Sequence, residues 1–226
     1  SPVLANHSKP DAGLPETLMT RPHANPIPNI LTGIRLFAGV IMFLILAGAT
    51  GIPVLSGYLS PDDQFALYRA AFWIFVIAAS TDWVDGYLAR RWNSTTRWGA
   101  ILDPIADKIL VTGAILGLLT SGSLTFIAIP CGLILFREFA VSALRETMAG
   151  KVHLPVTLLA KWKTTLQMVA LGAQQLILLW DGFGFPLEWQ PHFQTFAYVL
   201  IWAAAIVTLW TGWQYFDTAK RQMAEL

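Results

Sequence analysis

The chain has 226 residues, 55% of them hydrophobic and 13% charged, about half the charged share of an ordinary soluble domain, which excludes a typical cytosolic globular protein. Fifteen Lys and Arg against fourteen Asp and Glu leave a net charge of +1, so no global field recruits nucleic acid or an acidic partner. The single cysteine, Cys131, sits in an apolar run and excludes a disulfide framework or a multi-cysteine zinc site, whereas ten Trp suit a protein that needs amphipathic rings at two membrane interfaces.

In chain order, residues 1–28 are proline-rich and lack an apolar core, so they predict a flexible N-terminal tail, with 13–20 as a candidate interfacial segment, and neither a signal peptide nor a span. Six apolar stretches follow, near 30–50, 66–89, 100–120, 124–146, 156–180 and 194–216. Each suffices to cross a hydrocarbon core of about 30 Å, which takes roughly 20 helical residues. Lipid offers backbone groups no hydrogen bonds, so such spans must be helices. The expected fold is all-α, a polytopic integral membrane protein with residues 29–226 forming one six-helix domain.

Charge is sorted by side. Lys9 and Arg21 precede the first span; Arg90, Arg91 and Arg97 join the second and third; Lys151 joins the fourth and fifth; Lys220 and Arg221 follow the last. The connections 51–65, 121–123 and 181–193 have no Lys or Arg but carry Asp62, Asp63, Asp181 and Glu188. The positive-inside rule then predicts both termini in the cytoplasm. Trp92, Trp98, Trp180 and Trp189 fall at the predicted interfaces as belt residues.

Acids inside a span are costly and are functional candidates by default. Asp82 and Asp85 lie near the cytoplasmic end of the second span, and Asp103 and Asp107 in the first two turns of the third. At 100° per residue, Asp82, Asp85, Gly86 and Ala89 form one stripe and Gly99, Asp103 and Asp107 another. If these stripes face each other, four carboxylates converge over a floor free of bulky side chains. Carboxylates that close repel one another unless cations lie between them. Oxygen-only ligation favours Mg²⁺ or Mn²⁺, so a clamp of two ions on a phosphoryl group is expected. Gly113 and Gly117 form a GxxxG in the third span, which suits either packing within the chain or a homodimer contact.

The segment TDWVDGYLARRWNSTTRWGAILDPIADK, Thr81 to Lys108, resembles the CDP-alcohol phosphotransferase family, whose signature D-x2-D-G-x2-A-R-x8-G-x3-D-x3-D it matches without departure. Pro28 to Thr32 with Arg35, FREFAVSALRE (Phe136 to Glu146) and KWKTT (Lys161 to Thr165) resemble the phosphatidylglycerophosphate synthase branch. The resemblance implies transfer of a phosphatidyl group from CDP-diacylglycerol to sn-glycerol 3-phosphate with release of CMP, in a bacterial inner membrane with the site facing the cytoplasm. It implies that Asp82, Asp85, Asp103 and Asp107 hold two divalent ions and that Asp107 is the general base. It also implies that Asn29, Thr32, Gly86, Ala89, Arg90, Thr96 and Gly99 bind the nucleotide lipid.

Glycerol 3-phosphate is a dianion and needs a basic pocket, for which Arg137, Arg145, Lys161 and Lys163 are the candidates. Arg137, two turns inside its span, is the costliest to place. Lys161 and Lys163 stand about 200° apart on a helix, so they do not share a face, and Lys163 is preferred. Two alternatives differ in kind. One is the same chemistry on inositol phosphate, serine or phosphatidylglycerol. The other is a divalent-cation transporter, disfavoured because the carboxylates lie near one face and no inverted repeat is visible.

Overall fold

Apolar runs in a chain this poor in charge satisfy their backbone internally, and among the described residues every long element is an α-helix. The computed structural model describes residues 27–50, 58–92, 97–121, 126–148 and 158–224, with backbone alone for 27, 28, 82, 83, 85–92, 97–100 and 158–161. The helices are α1 (Ile27–Thr50), α2 (Pro61–Trp92), α3 (Arg97–Thr120), α4 (Ala128–Thr147), α5 (Leu158–Ile177) and α6 (Gln190–Ala224), with 3₁₀ turns at Asp181–Phe183 and Leu187–Trp189. Each predicted span coincides with one of them. The tail, its candidate interfacial segment and Thr96 lie outside the described residues.

Among the described residues, three stretches are long and apolar enough to cross a membrane: Asn29–Thr50, Pro61–Thr81 and Leu187–Ala224. Charged residues singled out above interrupt the apolar runs of the remaining helices, α3 to α5, as Asp82 and Asp85 interrupt the end of α2. The surface of these helices nonetheless carries apolar rings outward. Phe136 is 75% exposed while the adjacent Arg137 is 8%, and Trp162 is 71% exposed while Lys163 is 6%. Apolar rings face outward and charges inward, the distribution expected when lipid is the solvent.

The helices form two groups of three. In the first, α1 is the hub that packs on both α2 and α3; in the second, α6 packs on both α4 and α5. The α1–α3 seam is parallel, because Thr32 meets Asp103, Arg35 meets Asp107, and Gly39 meets Leu110. Backbones touch there. A Cβ added at Gly113 would stand 2.5 Å from the Gly39 carbonyl oxygen, and one at Gly117 would stand 2.5 Å from a Leu46 methyl carbon. The GxxxG therefore packs within the chain, against α1. The core runs on from this seam through Met42, Leu46, Leu110, Ile115, Leu171 and Ile201.

Capping fixes the ends far from the acids. Ser60 Oγ accepts from the Asp63 backbone N–H at 3.2 Å while the Ser60 N–H donates to Asp63 Oδ2 at 3.2 Å, a reciprocal box at the start of α2 with Pro61 in a first-turn position that needs no donor. Gly184, at φ 68°, ends the first 3₁₀ turn in the left-handed region. One expectation is corrected at this end. Trp180 is 5% exposed and not a belt residue, because Phe185 and Phe193 enclose its ring at 5.1 and 5.2 Å and its Nε1–H donates to the Pro186 carbonyl at 3.1 Å. Trp189 is 65% exposed.

Candidate functional site

The acidic side of the site is set by the α1–α3 seam. Glycine contacts bring the two helices close together, and α1 side chains reach the α3 acids: the Thr32 hydroxyl donates to Asp103 Oδ1, and Arg35 Nη1 donates to Asp107 Oδ1 at 3.0 Å. The Arg35 side chain is fully buried and Asp107 is 31% exposed, so the guanidinium holds the carboxylate from behind while its outer edge stays accessible. Pro104 lies between the two acids in the helix. Lacking an N–H, it leaves the Ala100 carbonyl without its usual helical donor.

The basic side belongs to the second group of helices. Arg137 of α4 donates from Nη2 to Thr211 Oγ1 at 3.0 Å and from Nη1 to Glu138 Oε1 at 3.1 Å. Its stem lies against Gly212, where a Cβ would stand 2.8 Å from Arg137 Cγ. Lys163 of α5 also donates to Glu138 Oε1. Arg145 donates from Nη2 to Tyr215 Oη at 2.6 Å and lies 4.7 Å above the Tyr215 ring centroid, with Arg137 5.8 Å from the same ring. Three cations and one acid leave this side with an excess of positive charge.

A cavity of about 1200 Å³ joins the two sides. Its lining includes Asp107 and Lys108 of α3 and Arg137, Arg145, Lys163 and Tyr215 from the second group, with Phe72 and Phe75 of α2 contributing an apolar wall. Carboxylate and guanidinium groups thus open onto one space. That arrangement can hold an anion at the basic end and a cation-assisted reaction at the acidic end.

The predicted site residues divide into three sets. Thr32, Asp103, Asp107, Arg137, Arg145 and Lys163 have described side chains that gather around or beside this cavity. Asn29 lies on α1 one turn before Thr32, half-buried. Asp82, Asp85, Gly86, Ala89, Arg90, Gly99 and Lys161 lie on helices whose side chains there are outside the described residues, as does all of Thr96. The Lys163 side chain is buried and pairs with Glu138.

Sequence reasoning missed three groups. Glu138 is an acid within a span, so the cost criterion that picked out the four Asp applied to it equally. Thr211 and Tyr215 of α6 carry no such signal, since a Thr and a Tyr in an apolar helix look like ordinary packing.

No group of three His, Cys, Asp or Glu gathers among the described residues, which include Asp103 and Asp107 but not the side chains of Asp82 and Asp85. The donor chemistry nonetheless fits a hard divalent ion. Asp103 is exposed and Asp107 opens onto the cavity one helical turn away, and both offer only carboxylate oxygen.

Comparison with known proteins agrees with this chemistry. The sequence model of the CDP-alcohol phosphatidyltransferases matches residues 25–210. A CDP-diacylglycerol–glycerol-3-phosphate 3-phosphatidyltransferase of Haemophilus influenzae is 41% identical over 155 residues, covering 67% of this chain and 78% of that protein. Proteins of the same name from Cereibacter sphaeroides, 38% identical over 225 residues (85% and 95% covered), and from Rickettsia bellii, 41% identical over 180 residues (79% and 94% covered), are similar over more of their length.

Proposed function

Because the chain belongs to the CDP-alcohol phosphatidyltransferase family, we propose that it transfers the phosphatidyl group of CDP-diacylglycerol to sn-glycerol 3-phosphate, giving phosphatidylglycerophosphate and CMP. The observation that carries this reading is the single cavity running from Asp107 to Arg137, Arg145 and Lys163. A dianionic acceptor needs a cationic seat beside the carboxylate that takes its proton, and this cavity offers both. In this reading all six helices cross the bilayer, with both chain ends and the site on the cytoplasmic face of a bacterial inner membrane.

Asp82, Asp85, Asp103 and Asp107 would hold two divalent ions, Mg²⁺ or Mn²⁺, whose chemistry is to neutralise the pyrophosphate and stabilise charge during in-line displacement. The chain's own residues do the rest. Arg137 and Lys163, with Arg145 at the mouth, seat the acceptor phosphate. Asp107, oriented by Arg35, accepts the proton of the attacking hydroxyl. The hydroxyl oxygen bonds to the diacylglycerol-side phosphorus as the bond to the CMP oxygen breaks. Gly86, Ala89 and Gly99 leave room for the cytidine, Arg90 and Thr96 meet its phosphates, and Asn29 closes the site from α1. Thr32 steadies Asp103.

The test is an assay of the purified protein with CDP-diacylglycerol, Mg²⁺ and labelled glycerol 3-phosphate, run in parallel with inositol phosphate, serine and phosphatidylglycerol. CMP release with labelled phosphatidylglycerophosphate is expected, lost on chelation and restored by Mg²⁺ or Mn²⁺. Absence of CMP with every acceptor overturns the reaction, and CMP with a different acceptor alone overturns the choice of glycerol 3-phosphate.

A further inference from the structure

Glu138, half-buried, stands out among the charges beside the cavity because one of its oxygens serves three donors on two helices. Oε1 accepts from Arg137 Nη1 at 3.1 Å, from Gln167 Nε2 at 3.2 Å and from Lys163 Nζ. Helices α4 and α5 each pack on α6 and scarcely on each other, so this carboxylate spans the gap between them beside the cavity that it lines.

The two cations depend on it unequally. Arg137 is anchored without it, by Thr211 at 3.0 Å and by the close fit of its stem on Gly212. Lys163 has a flexible four-carbon stem, and among the described residues Glu138 is the acid within ion-pair reach of its ammonium. Glu138 is itself fixed from α5 by Gln167, whose Nε2 also reaches Thr208 Oγ1 at 2.7 Å. Two like charges brought to one cavity repel, and an acid between them sets their spacing.

We propose that Glu138 is the positioning residue of the acceptor site, holding Lys163 at the distance from Arg137 at which both grip one phosphate. This rests on the reading of Arg137 and Lys163 as that phosphate's seat. Glu138 takes no part in the proton transfer or the displacement, and its effect reaches the substrate through Lys163. A freed ammonium would sample many positions, so losing Glu138 should weaken acceptor binding rather than the chemical step.

The experiment measures the KM of each substrate, and kcat, for Glu138→Gln, Lys163→Met and the double variant. For Glu138→Gln the KM for glycerol 3-phosphate should rise about tenfold, the worth of one charge-assisted contact, with the KM for CDP-diacylglycerol unchanged. In the Lys163→Met background the same substitution should add little, because the lysine it positions is gone. If Lys163→Met raises the acceptor KM and Glu138→Gln leaves it unchanged, the proposal fails while the site reading survives. If Lys163→Met leaves it unchanged, the site reading fails and the proposal with it. An equal rise in both KM values, or additive effects in the double variant, also overturns it. Should Glu138→Gln not fold, Glu138→Asp keeps the charge and shortens the reach by one carbon. A rise confined to the acceptor KM is then expected, and an unchanged value counts against the proposal.

Discussion

The two groups of helices solve opposite electrostatic problems with the same plan. In each, one hub helix runs parallel to a charged partner and hands it hydrogen-bonding groups: α1 gives Thr32 and Arg35 to the acids of α3, and α6 gives Thr211 and Tyr215 to the arginines of α4. The means differ. The acid side is held by backbone contact through Gly39 and Gly113 and by a full counter-charge, so it tolerates little change in helix spacing. The basic side is held by neutral hydroxyls, one aromatic ring and a shared carboxylate, which leaves positive charge in excess for an anion. A rigid acid end and a compliant basic end suit the proposed site, in which the chemistry would take place at one end and the acceptor enter at the other.

The largest effect should come from removing the reacting group itself. Asp107→Asn should lower kcat by about 10³-fold or more, since proton transfer and charge stabilisation are lost together. A loss below tenfold in the assay of CMP release would take the general base away from Asp107. Breaking the counter-charge behind it comes next. Arg35→Met should leave Asp107 facing a buried apolar group and cost about 2–3 kcal/mol, toward the low end for a buried pair because the acid is partly wet, read as a drop in the thermal transition in detergent.

The seam itself can be broken without touching a charge. Gly113→Ala sets a methyl against the Gly39 carbonyl oxygen, a backbone atom that cannot turn aside, and should cost about 1–3 kcal/mol while impairing catalysis by shifting Thr32 and Arg35 off their acids. Gly117→Ala meets Leu46 at Cδ1, which can rotate, but also at Cβ, 2.8 Å away, which moves only with the helix backbone, so it should lower the same melting curve as well. Wild-type transitions in both variants would mean that the seam is not the rigid part. The smallest change expected is on the compliant side. Tyr215→Phe keeps the ring beneath Arg145 and loses only the hydroxyl, so the KM for glycerol 3-phosphate should rise by about fivefold or less with kcat unaffected.

Much of this plan was legible in the sequence because membrane chemistry makes charge expensive. The helices followed from apolar length, the acids from their cost within a span, and Arg137 from its depth. Each needs only one residue and its position along a helix. What could not be read is pairing across helices. Nothing in the residues near 32 says that Thr32 lies against Asp103, since that depends on how α1 slides on α3, and only the glycine contacts fix that register. Tyr215 and Thr211 were hidden for the same reason. Trp180 misled because an indole near a span end suits an interface, and the aromatic cluster that encloses it forms only when the 3₁₀ turns fold back. Glu138 was different in kind, for its signal was present and was overlooked beside the more conspicuous arginine preceding it.

The 72 residues that separate Arg35 from Asp107 also measure time. A ribosome finishes α1 long before α3 exists, so the first helix is complete before Asp107, the acid its guanidinium meets, has been made. Arg35 lies about two turns from the start of α1, close enough for its long side chain to reach the headgroups meanwhile. It reaches Asp107 when α3 arrives and Gly39 closes on Leu110. The pairing of α1 with the acids of α3 is therefore a late event. Thr32→Cys combined with Asp103→Cys, whose native side chains meet across the same seam, should crosslink in nascent chains only once α3 has left the ribosome.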